Sequence, residues 1–452
     1  MRVIVLVDGE HYPPVMRWGI DVVREHGHEV VGALLVGGIE KIDPGSALDL
    51  GVPLRVAGED RMAALTDAIE AFSPEGVLDL SDEPVLGYRE RMELAAVALA
   101  HGVPYLGSDF RLDPPISGPP LAMPTLAVIG TGKRTGKTAI SGELARLAAR
   151  RGLDPVIVAM GRGGPPEPQV AEAGSVDLAR LLELVHSGEH AASDYLEDAV
   201  TTGIMTVGAR RVGGGLAGAP YATNVREAAE LGIARGAGLL ILEGSGSAIP
   251  PVPWDAGVLV APASVPLEYL SGYLGPFRLL LSDLLVVTMG TDPVAGHEHL
   301  SALRTHARRF LDDSRQIVTD FIPVPLADVR GERVFFTTTA PPEVAARQID
   351  HLEATDGCTV VGWSARLADR AGLAEDMEGA EAFDILLTEL KAAAVDVACE
   401  RATALGAAVV FVDNRAIVVE GTTDLDTALG DVLDLAIERG RGTKGQGNRG
   451  QG

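Results

Sequence analysis

The sequence predicts an α/β protein with three successive parts and mainly parallel sheets. Short apolar runs typical of strands alternate with helical patterns along most of the 452 residues. A proline-rich stretch, LDPPISGPPLAMP at 112–124, interrupts both periodicities and predicts a linker. A glycine-rich loop at 130–138 joins a strand-like run directly to a helical pattern, which is typical of parallel α/β units.

The first part, residues 1–120, is predicted to be an N-terminal Rossmann-like domain with a parallel sheet. Its strand-like runs are followed by helical patterns, as the crossover connections of a parallel sheet require. The predicted strands are Val3–Val7, His28–Leu35, Gly76–Leu80 and Val103–Gly107, and the predicted helices are Pro14–Glu25, Arg61–Phe72 and Arg89–His101.

The second part, residues 121–345, is predicted to be a central domain with a mainly parallel sheet, and 346–440 a smaller C-terminal α/β region. The central strands are predicted at Leu126–Ile129, Val156–Met160, Gly238–Leu242, Val258–Ala261, Leu284–Met289 and Val334–Thr337, with a helix at His297–Phe310. The C-terminal region is predicted to hold a long helix around Phe383–Leu405 and a strand at Ala408–Val412. The low-complexity tail, 441–452, is predicted to be disordered.

Composition narrows the class of protein. The formal net charge of −25 opposes broad contact with nucleic acid or with an anionic membrane. An anionic small substrate would need a local cluster of positive charge.

No apolar run reaches the roughly 18 residues that span a bilayer, and the N-terminus lacks a signal-peptide cleavage site, so a cytoplasmic protein is expected. Cys358 and Cys399 lie far apart without a CxxC pattern, which predicts small buried apolar residues.

The loop GTGKRTGKT at 130–138 has the features of a phosphate-binding P-loop. Its glycines let backbone N–H groups approach a phosphate, and the helix that follows adds its partial positive charge. Lys137 would reach the β- and γ-phosphates, and the hydroxyl of Thr138 would ligate Mg²⁺. The other interpretation is a glycine-rich turn. The predicted nucleotide-binding residues are Gly130, Thr131, Gly132, Thr135, Gly136, Lys137 and Thr138.

The spacing of this loop resembles that of the dethiobiotin synthetase class of P-loop NTPases. That class carries a loop beginning Gly-Thr and ending Gly-Lys-Thr, and Val-Glu-Gly-Ala-Gly after a later strand. The stretch Leu242–Gly246, LEGSG, is similar to the second pattern. The resemblance implies that Glu243 is a Mg²⁺ ligand at the carboxyl end of a strand, where ligands gather in α/β sheets. A solvated loop carboxylate is the alternative. Homodimers are common in this class, and a homodimer is expected here.

Two loops rich in arginine and glycine follow predicted strand ends. Arg162 lies in the stretch 160–164, and Arg210 and Arg211 lie in the stretch 208–215. Arginine binds phosphate through two parallel hydrogen bonds, and glycine, which has no side chain, lets the backbone of such a loop approach the phosphate closely. In so acidic a protein the combination favours a phosphate clamp, although any one arginine could be a surface charge.

The stretch DGEHYPP at 8–14 follows the first strand, so that Asp8, Glu10 and His11 come at the carboxyl edge of the N-terminal sheet. Two interpretations stay open. These residues bind substrate at that edge, or they cap the entry of the following helix, with proline in its first turn. A further lysine, Lys391, lies among apolar neighbours and either faces a cleft or extends to solvent.

The DGEHYP stretch, the 130–138 loop, the Glu243 loop and the chain length together resemble the cyclic 2,3-diphosphoglycerate synthetase family. The resemblance implies an enzyme that uses ATP and Mg²⁺ to close 2,3-diphosphoglycerate into a ring through an intramolecular phosphoanhydride, releasing ADP and phosphate. Lys137, Lys133 and Arg134 are the predicted catalytic residues of the loop. Arg162, Arg210, Arg211, Asp8, Glu10 and His11 are the predicted substrate-binding residues.

Other functions fit the same loop. A phosphoglycerate-type kinase or a carboxylate-activating ligase of the dethiobiotin synthetase class would use the same nucleotide site. A nucleotide-switched regulatory or metal-delivery protein is a third possibility, against which the lack of Cys/His clusters in the sequence weighs. The synthetase, the kinase and the ligase would form different products from 2,3-diphosphoglycerate, so identifying the product distinguishes these three functions.

Overall fold

The computed structural model describes residues 1–38, 48–291 and 295–447, with side chains up to residue 441. Its elements alternate between strands and helices along the chain, and two sheets are formed. The predicted α/β class with mainly parallel sheets is confirmed. The predicted tail at 441–452 begins inside a helix, and its residues 448–452 lie outside the described part of the chain.

The N-terminal segment forms a sheet with the strand order β3-β2-β1-β4-β5-β6. All neighbours are parallel except β5 and β6. Such an order places a ligand crevice beyond the carboxyl ends of β1 and β4, where the direction of winding reverses. The elements are β1 (Arg2–Val7), α1 (Pro13–Glu25), β2 (Glu29–Leu35), β3 (Leu54–Val56), α2 (Arg61–Phe72), β4 (Gly76–Asp79), α3 (Tyr88–Ala100), β5 (Tyr105–Leu106) and β6 (Arg111–Leu112).

The central segment contains the phosphate loop between its first strand and helix. Its strands are short apolar runs, buried on both faces in the way parallel strands are. The elements are β7 (Thr125–Gly130), α4 (Lys137–Arg150), β8 (Pro155–Gly161), β9 (Gln169–Ala171), α5 (Leu178–His186), α6 (Asp194–Thr202), β10 (Thr206–Val212), β11 (Ala222–Thr223), α7 (Val225–Ala234), β12 (Leu239–Glu243), β13 (Ala256–Pro262), α8 (Glu268–Ser271), α9 (Gly275–Leu280), β14 (Leu284–Thr288), α10 (His297–Ala307) and β15 (Gln316–Pro325).

The C-terminal segment adds four strands to the same sheet as the central segment. Its elements are β16 (Arg333–Thr337), α11 (Pro342–His351), β17 (Thr359–Ser364), α12 (Arg370–Glu378), β18 (Ile385–Glu389), α13 (Glu400–Ala404), β19 (Ala408–Glu420) and α14 (Leu425–Gly447). The order of the second sheet is β11-β10-β8-β12-β7-β13-β14-β15-β19-β18-β16-β17, with β9 paired to β10. The antiparallel pair β15–β19 joins two mainly parallel halves, of which the first also has β9 and β11 antiparallel to β10.

Three local predictions are corrected by the structure. The predicted helix around Phe383–Leu405 begins as a buried strand, β18, and becomes helical only after it. A short run of apolar residues does not distinguish a buried strand from a buried helix. The stretch 206–212, predicted as part of a loop, is strand β10. Its glycine and two arginines conceal the strand pattern. The strand β16, predicted for the central segment, pairs with β17 and β18.

The three segments pack against one another. Helix α3 of the N-terminal segment packs on α9, and the Tyr88 hydroxyl donates a hydrogen bond of 2.5 Å to Glu268. Helix α14 packs on α4 and β13, so that the last described helix covers the helix of the phosphate loop. Among the described residues, no helix combines the length and the apolar character that crossing a bilayer demands.

The packing of α14 generates a stability prediction. Leu433 is fully buried among apolar residues of α4, β7 and β13. The substitution Leu433→Ala should therefore lower the free energy of unfolding by about 2–5 kcal/mol, through lost burial and the cavity left behind. Urea unfolding followed by circular dichroism measures the change. Asp431→Ala, on the exposed face of the same helix, is the matched control and should stay within about 0.5 kcal/mol. Equal stability of the two variants would contradict this packing.

Candidate active site

The site is built at one edge of the second sheet, where four parallel strands end side by side. The strands β10, β8, β12 and β7 are neighbours in this order. The phosphate loop follows β7, the Arg162 loop follows β8, Glu243 ends β12, and Arg211 lies near the end of β10. Carboxyl ends of parallel strands share one edge, so residues distant in sequence meet here.

The phosphate loop depends on two of its glycines. Gly136 caps α4 with φ +89°, and a Cβ at this position would lie 2.5 Å from the ring of Phe321. A Cβ on Gly130 would lie 2.8 Å from Thr135 Oγ1 and 3.0 Å from Lys137 Cδ. Only glycine fits both positions. The loop leaves the N-terminus of α4 open, as a site for phosphate requires.

Lys137 lies inside this loop. Its Nζ donates hydrogen bonds to the carbonyl oxygen of Gly132 at 2.9 Å and to Thr135 Oγ1 at 3.3 Å. Burial lowers the pKa of Lys137 to about 8, while Glu243 and Asp194 oppose the shift. A desolvated ammonium facing the mouth of a P-loop favours an anionic ligand, because the anion supplies the charge that water no longer provides.

Glu243 lies beside Thr138, as predicted. The Thr138 hydroxyl donates a hydrogen bond of 2.8 Å to Glu243 Oε1. Glu243 Oε2 and both carboxylate oxygens of Asp198 are buried, with no hydrogen-bond partner among the described residues. Burial raises the pKa of Glu243 to about 7. Burial also raises the pKa of Asp198 well above its ordinary value, and the negative charge of Glu243 raises it further.

These carboxylates fit a divalent cation. Oxygen ligands with unsatisfied lone pairs are what Mg²⁺ takes, usually with one or two carboxylates completed by phosphate oxygens and water. No group of three His, Cys, Asp or Glu side chains in the described ranges is placed to hold a metal ion by itself. Thr138, Glu243 and Asp198 could therefore hold Mg²⁺ only together with a bound nucleotide.

Three of the predicted cationic residues come together beside the loop after β12. A Cβ built on Gly246 would lie 3.2 Å from Arg162 Nη2, 3.4 Å from Arg211 Nη2 and 3.8 Å from Lys133 Cγ. Arg211 is held there by hydrogen bonds to the carbonyl oxygens of Gly213 at 2.6 Å and Ser245 at 2.8 Å. The side chains of Arg162 and Lys133 belong to exposed residues. The group forms a local positive cluster in an acidic chain.

Arg134 and Arg210 lie apart from that cluster. Arg134 is exposed at the tip of the phosphate loop with φ +55°, and it makes no hydrogen bond or ion pair within the described ranges. Arg210 is the strand neighbour of Arg211, and successive strand residues point to opposite faces. Its Nε donates a hydrogen bond of 2.7 Å to the carbonyl oxygen of Gly164.

The stretch after β1 forms its own network in the N-terminal segment. Asp8 is fully buried and accepts hydrogen bonds from the backbone N–H groups of Glu10, His11 and Asp82 at 3.0, 3.1 and 2.6 Å. Its Oδ1 also lies 2.9 Å from His11 Nδ1. These contacts fix the two loops at the switch point of the first sheet. The hydrogen-bond partners of Asp8 within the described residues all belong to the N-terminal segment, and none belongs to the phosphate loop.

Helix α6 supplies acidic residues that the sequence analysis missed. Asp194, Glu197 and Asp198 occupy one face of α6 and lie near Lys137 and Glu243. Lys391, from the C-terminal segment, forms an ion pair with Glu197 at 3.2 Å and is about a third exposed, at 36%. The spacing of these acidic residues in the sequence could have identified them, because residues at i, i+3 and i+4 lie on one face of a helix.

Family models match almost the whole chain. The model of the cyclic 2,3-diphosphoglycerate synthetase N-terminal domain matches residues 2–113, that of the P-loop domain of the same synthetase matches 125–319, and that of its C-terminal domain matches 325–415.

Curated relatives are similar over nearly their full length. Cyclic 2,3-diphosphoglycerate synthetase of Rubrobacter xylanophilus is 49% identical over 98% of this chain and 99% of the relative. The proteins of the same name from Methanothermus fervidus and Methanothermobacter thermautotrophicus are 38% and 40% identical, over 97% and 96% of this chain and 98% and 96% of theirs. Among solved structures, LpxK from Aquifex aeolicus in complex with ATP has a TM-score of 0.41 at 14% identity, over 70% of this chain and 90% of that chain.

The glycine at the start of α4 generates a prediction about nucleotide binding. Gly136→Ala forces a left-handed backbone on alanine and places its Cβ 2.5 Å from Phe321, so the loop must shift. Affinity for an ATP analogue, measured by isothermal titration calorimetry, should fall by at least tenfold.

The matched control lies just beyond the other end of the same helix. Gly152 also has a positive φ, of +70°, but a Cβ there would meet nothing within 4 Å. Gly152→Ala should lower stability by about 1–2 kcal/mol, the cost of the left-handed conformation, and leave nucleotide affinity unchanged. Equal loss of affinity in both variants would show that backbone strain, rather than the shape of the cradle, sets the result.

Proposed function

The chain belongs to the cyclic 2,3-diphosphoglycerate synthetase family, and from that premise we propose that it uses ATP and Mg²⁺ to close 2,3-diphosphoglycerate into its cyclic phosphoanhydride, releasing ADP and phosphate. One observation supports this most directly: Arg162, Arg211 and Lys133 converge on the Gly246 loop, beside the cradle formed around Lys137. A site with two neighbouring cationic centres suits a reaction between two polyanions. Homodimerisation and a cytoplasmic location stay predictions.

The first step is phosphoryl transfer. An oxygen of one substrate phosphate attacks the γ-phosphorus of ATP; this P–O bond forms while the bond to ADP breaks. Lys137 and the open N-terminus of α4 hold the transferring group. The cluster of Arg162, Arg211 and Lys133 lowers the repulsion between the two anions. The product of this step is a substrate that carries a diphosphate.

The second step closes the ring. An oxygen of the other substrate phosphate attacks the inner phosphorus of the diphosphate, and inorganic phosphate leaves. One P–O bond forms and one breaks, so no oxidant or further reactant is needed. The same positive cluster stabilises the charge that develops when two phosphates are brought together.

Mg²⁺, when bound, would neutralise charge on the phosphates of the nucleotide. Thr138 and Glu243 would hold it, with Asp198 behind them. These residues also keep the Lys137 end of the site desolvated, which strengthens each of its electrostatic interactions.

The decisive experiment is ³¹P NMR of the full chain incubated with ATP, Mg²⁺ and 2,3-diphosphoglycerate. We expect a cyclic phosphoanhydride, with ADP and inorganic phosphate in equal amounts. A linear, more highly phosphorylated glycerate with ADP but without phosphate would identify a kinase instead. Release of ADP and phosphate only with an added nucleophile would identify a carboxylate-activating ligase. ATP hydrolysis that 2,3-diphosphoglycerate does not influence would favour a regulatory ATPase.

Arg162 allows a sharper test of the positive cluster. Arg162→Ala should lower kcat by about 10²- to 10³-fold, the effect of losing one charged donor to the transition state. Arg180→Ala is the matched control, because Arg180 lies on the exposed face of α5 and pairs only with Glu183. Steady-state kinetics of both variants check this, and wild-type rates for Arg162→Ala would refute a role for the cluster.

Glu243 generates a metal-binding prediction. Glu243→Gln keeps the shape of the side chain but removes the charge beside Thr138. We expect Mn²⁺ affinity in the presence of a non-hydrolysable ATP analogue to fall by at least tenfold, as measured by electron paramagnetic resonance. Glu227→Gln, on the surface of α7, should leave Mn²⁺ binding unchanged. Unaltered Mn²⁺ affinity in Glu243→Gln would remove this residue from the metal site.

A further inference from the structure

A cavity of about 260 Å³ opens next to the phosphate cradle. It lies between the loop after β8, the connection from α5 to α6, and the end of β10. The residues that line it include Gly163, Gly164, Glu189, His190, Ser193 and Arg210. Its volume is slightly below the roughly 300 Å³ at which pockets for drug-sized ligands begin, so it has room for part of a small anionic molecule.

The cavity borders the candidate active site along the chain. Gly163 follows Arg162, and Arg210 precedes Arg211, so two of its walls are chain neighbours of the positive cluster. Asp194 lies between two lining residues, Ser193 and Tyr195, and its carboxylate lies 3.1 Å from the Cβ position of Gly161.

Ser193 gives the cavity a hydrogen-bonding group without a partner. It is 4% exposed, and its hydroxyl makes no hydrogen bond with any described residue. Ser193 precedes α6, a helix of nine residues, and does not cap it with its side chain. The N–H groups of Leu196 and Glu197 donate to the carbonyl oxygen of Ser193. Those of Asp194 and Tyr195, with the Ser193 hydroxyl, make no hydrogen bond within the described chain and are available to an acceptor. A buried hydroxyl that has no protein partner indicates that something else satisfies it.

An arginine and a histidine line the same space. Arg210 is anchored through Nε to the carbonyl oxygen of Gly164, and within the described chain its terminal nitrogens make no hydrogen bond. His190 packs its ring against Gly163, where a Cβ would lie 2.5 Å from His190 Cδ2. Glu189 is the one carboxylate among the lining residues; it is exposed and accepts a hydrogen bond of 3.2 Å from Ser187 Oγ.

We propose that this cavity binds the phosphate of 2,3-diphosphoglycerate that does not attack ATP, through Arg210, His190, the Ser193 hydroxyl and the start of α6. The inference rests on the proposed function, because it assigns the second anion of that reaction. Arg162, Arg211 and Lys133 then hold the attacking phosphate.

A smaller cavity of about 120 Å³ lies on α10 and includes Arg304, Arg308 and Glu420. Arg304 already forms an ion pair with Glu420 across it. The charge of that arginine is therefore balanced within the protein, and the cavity near α6 is the better candidate for an anion.

The test is calorimetric titration of the full chain with 2,3-diphosphoglycerate in the presence of a non-hydrolysable ATP analogue. Ser193→Ala and Arg210→Gln should each weaken binding by about tenfold or more, the effect of one hydrogen bond to a charged group. Glu189→Gln should tighten binding several-fold, because it removes a like charge from the rim. Ser175→Ala, an exposed serine whose hydroxyl bonds only to a backbone oxygen, is the control. The affinity for the ATP analogue should stay within twofold in all variants.

The outcomes separate the two proposals. Weaker binding in Ser193→Ala and tighter binding in Glu189→Gln support the cavity, whether or not wild type yields a cyclic product. If wild type forms the ring and these variants bind 2,3-diphosphoglycerate as it does, the cavity assignment is overturned and the proposed function stands. Absence of 2,3-diphosphoglycerate binding to wild type overturns both. Because Ser193 lacks a protein partner, its alanine variant tests binding with little effect on folding.

Discussion

The candidate site depends on the balance of charge around Lys137 in a region from which water is largely withdrawn. Lys137 is nearly buried, and the opposite charges that act on it include Glu243 and Asp194 of α6. The neighbouring carboxylates of Glu243 and Asp198 lack hydrogen-bond partners among the described residues on three of their four oxygens, and they repel one another in the absence of a proton or a cation. A cation bound together with a polyanion, as we propose, would relieve this repulsion.

The parts of the site that the sequence predicted are those encoded by contiguous residues. The spacing of the glycines in the loop from Gly130 to Thr138 predicts its backbone geometry, and the strand before it is recognisable as an apolar run. Thr138 and Glu243 were both predicted as Mg²⁺ ligands, Glu243 by resemblance to a known class. The structure brings the two side chains to 2.8 Å, and their metal role stays a prediction. The parallel α/β architecture followed from alternation alone, because each helix must return the chain to the same edge of the sheet.

The parts that the sequence did not predict depend on contacts between distant segments. Strand β10 carries a glycine and two arginines, and it is a strand because β8 pairs with its residues 206–210 and because β9 and β11 also pair with it. In the sequence, the acidic residues of α6 look like the charged face of an ordinary surface helix. Only the fold shows that this face lies near Lys137. The stretch after β1 was ambiguous for the opposite reason. Its residues are typical of a site, but fully buried Asp8 uses its oxygens to fix two loops, and capping and ligand binding call for the same residue types.

The C-terminal segment is connected to the site through charge as well as through the sheet. Lys391 pairs with Glu197 of α6. Burial raises the pKa of this carboxyl to about 8; the charge of Lys391 opposes the shift and that of Asp194 adds to it. On the phosphate-loop helix, Glu143 receives hydrogen bonds from Arg415 of β19, and burial of this carboxylate is tolerated because that arginine and Arg146 hold its pKa down. Helix α6 thus takes a counter-charge from Lys391, and helix α4 takes one from Arg415. Since an uncompensated buried carboxylate is strongly destabilising, docking of the C-terminal segment contributes to the charge balance of both helices that border the cradle.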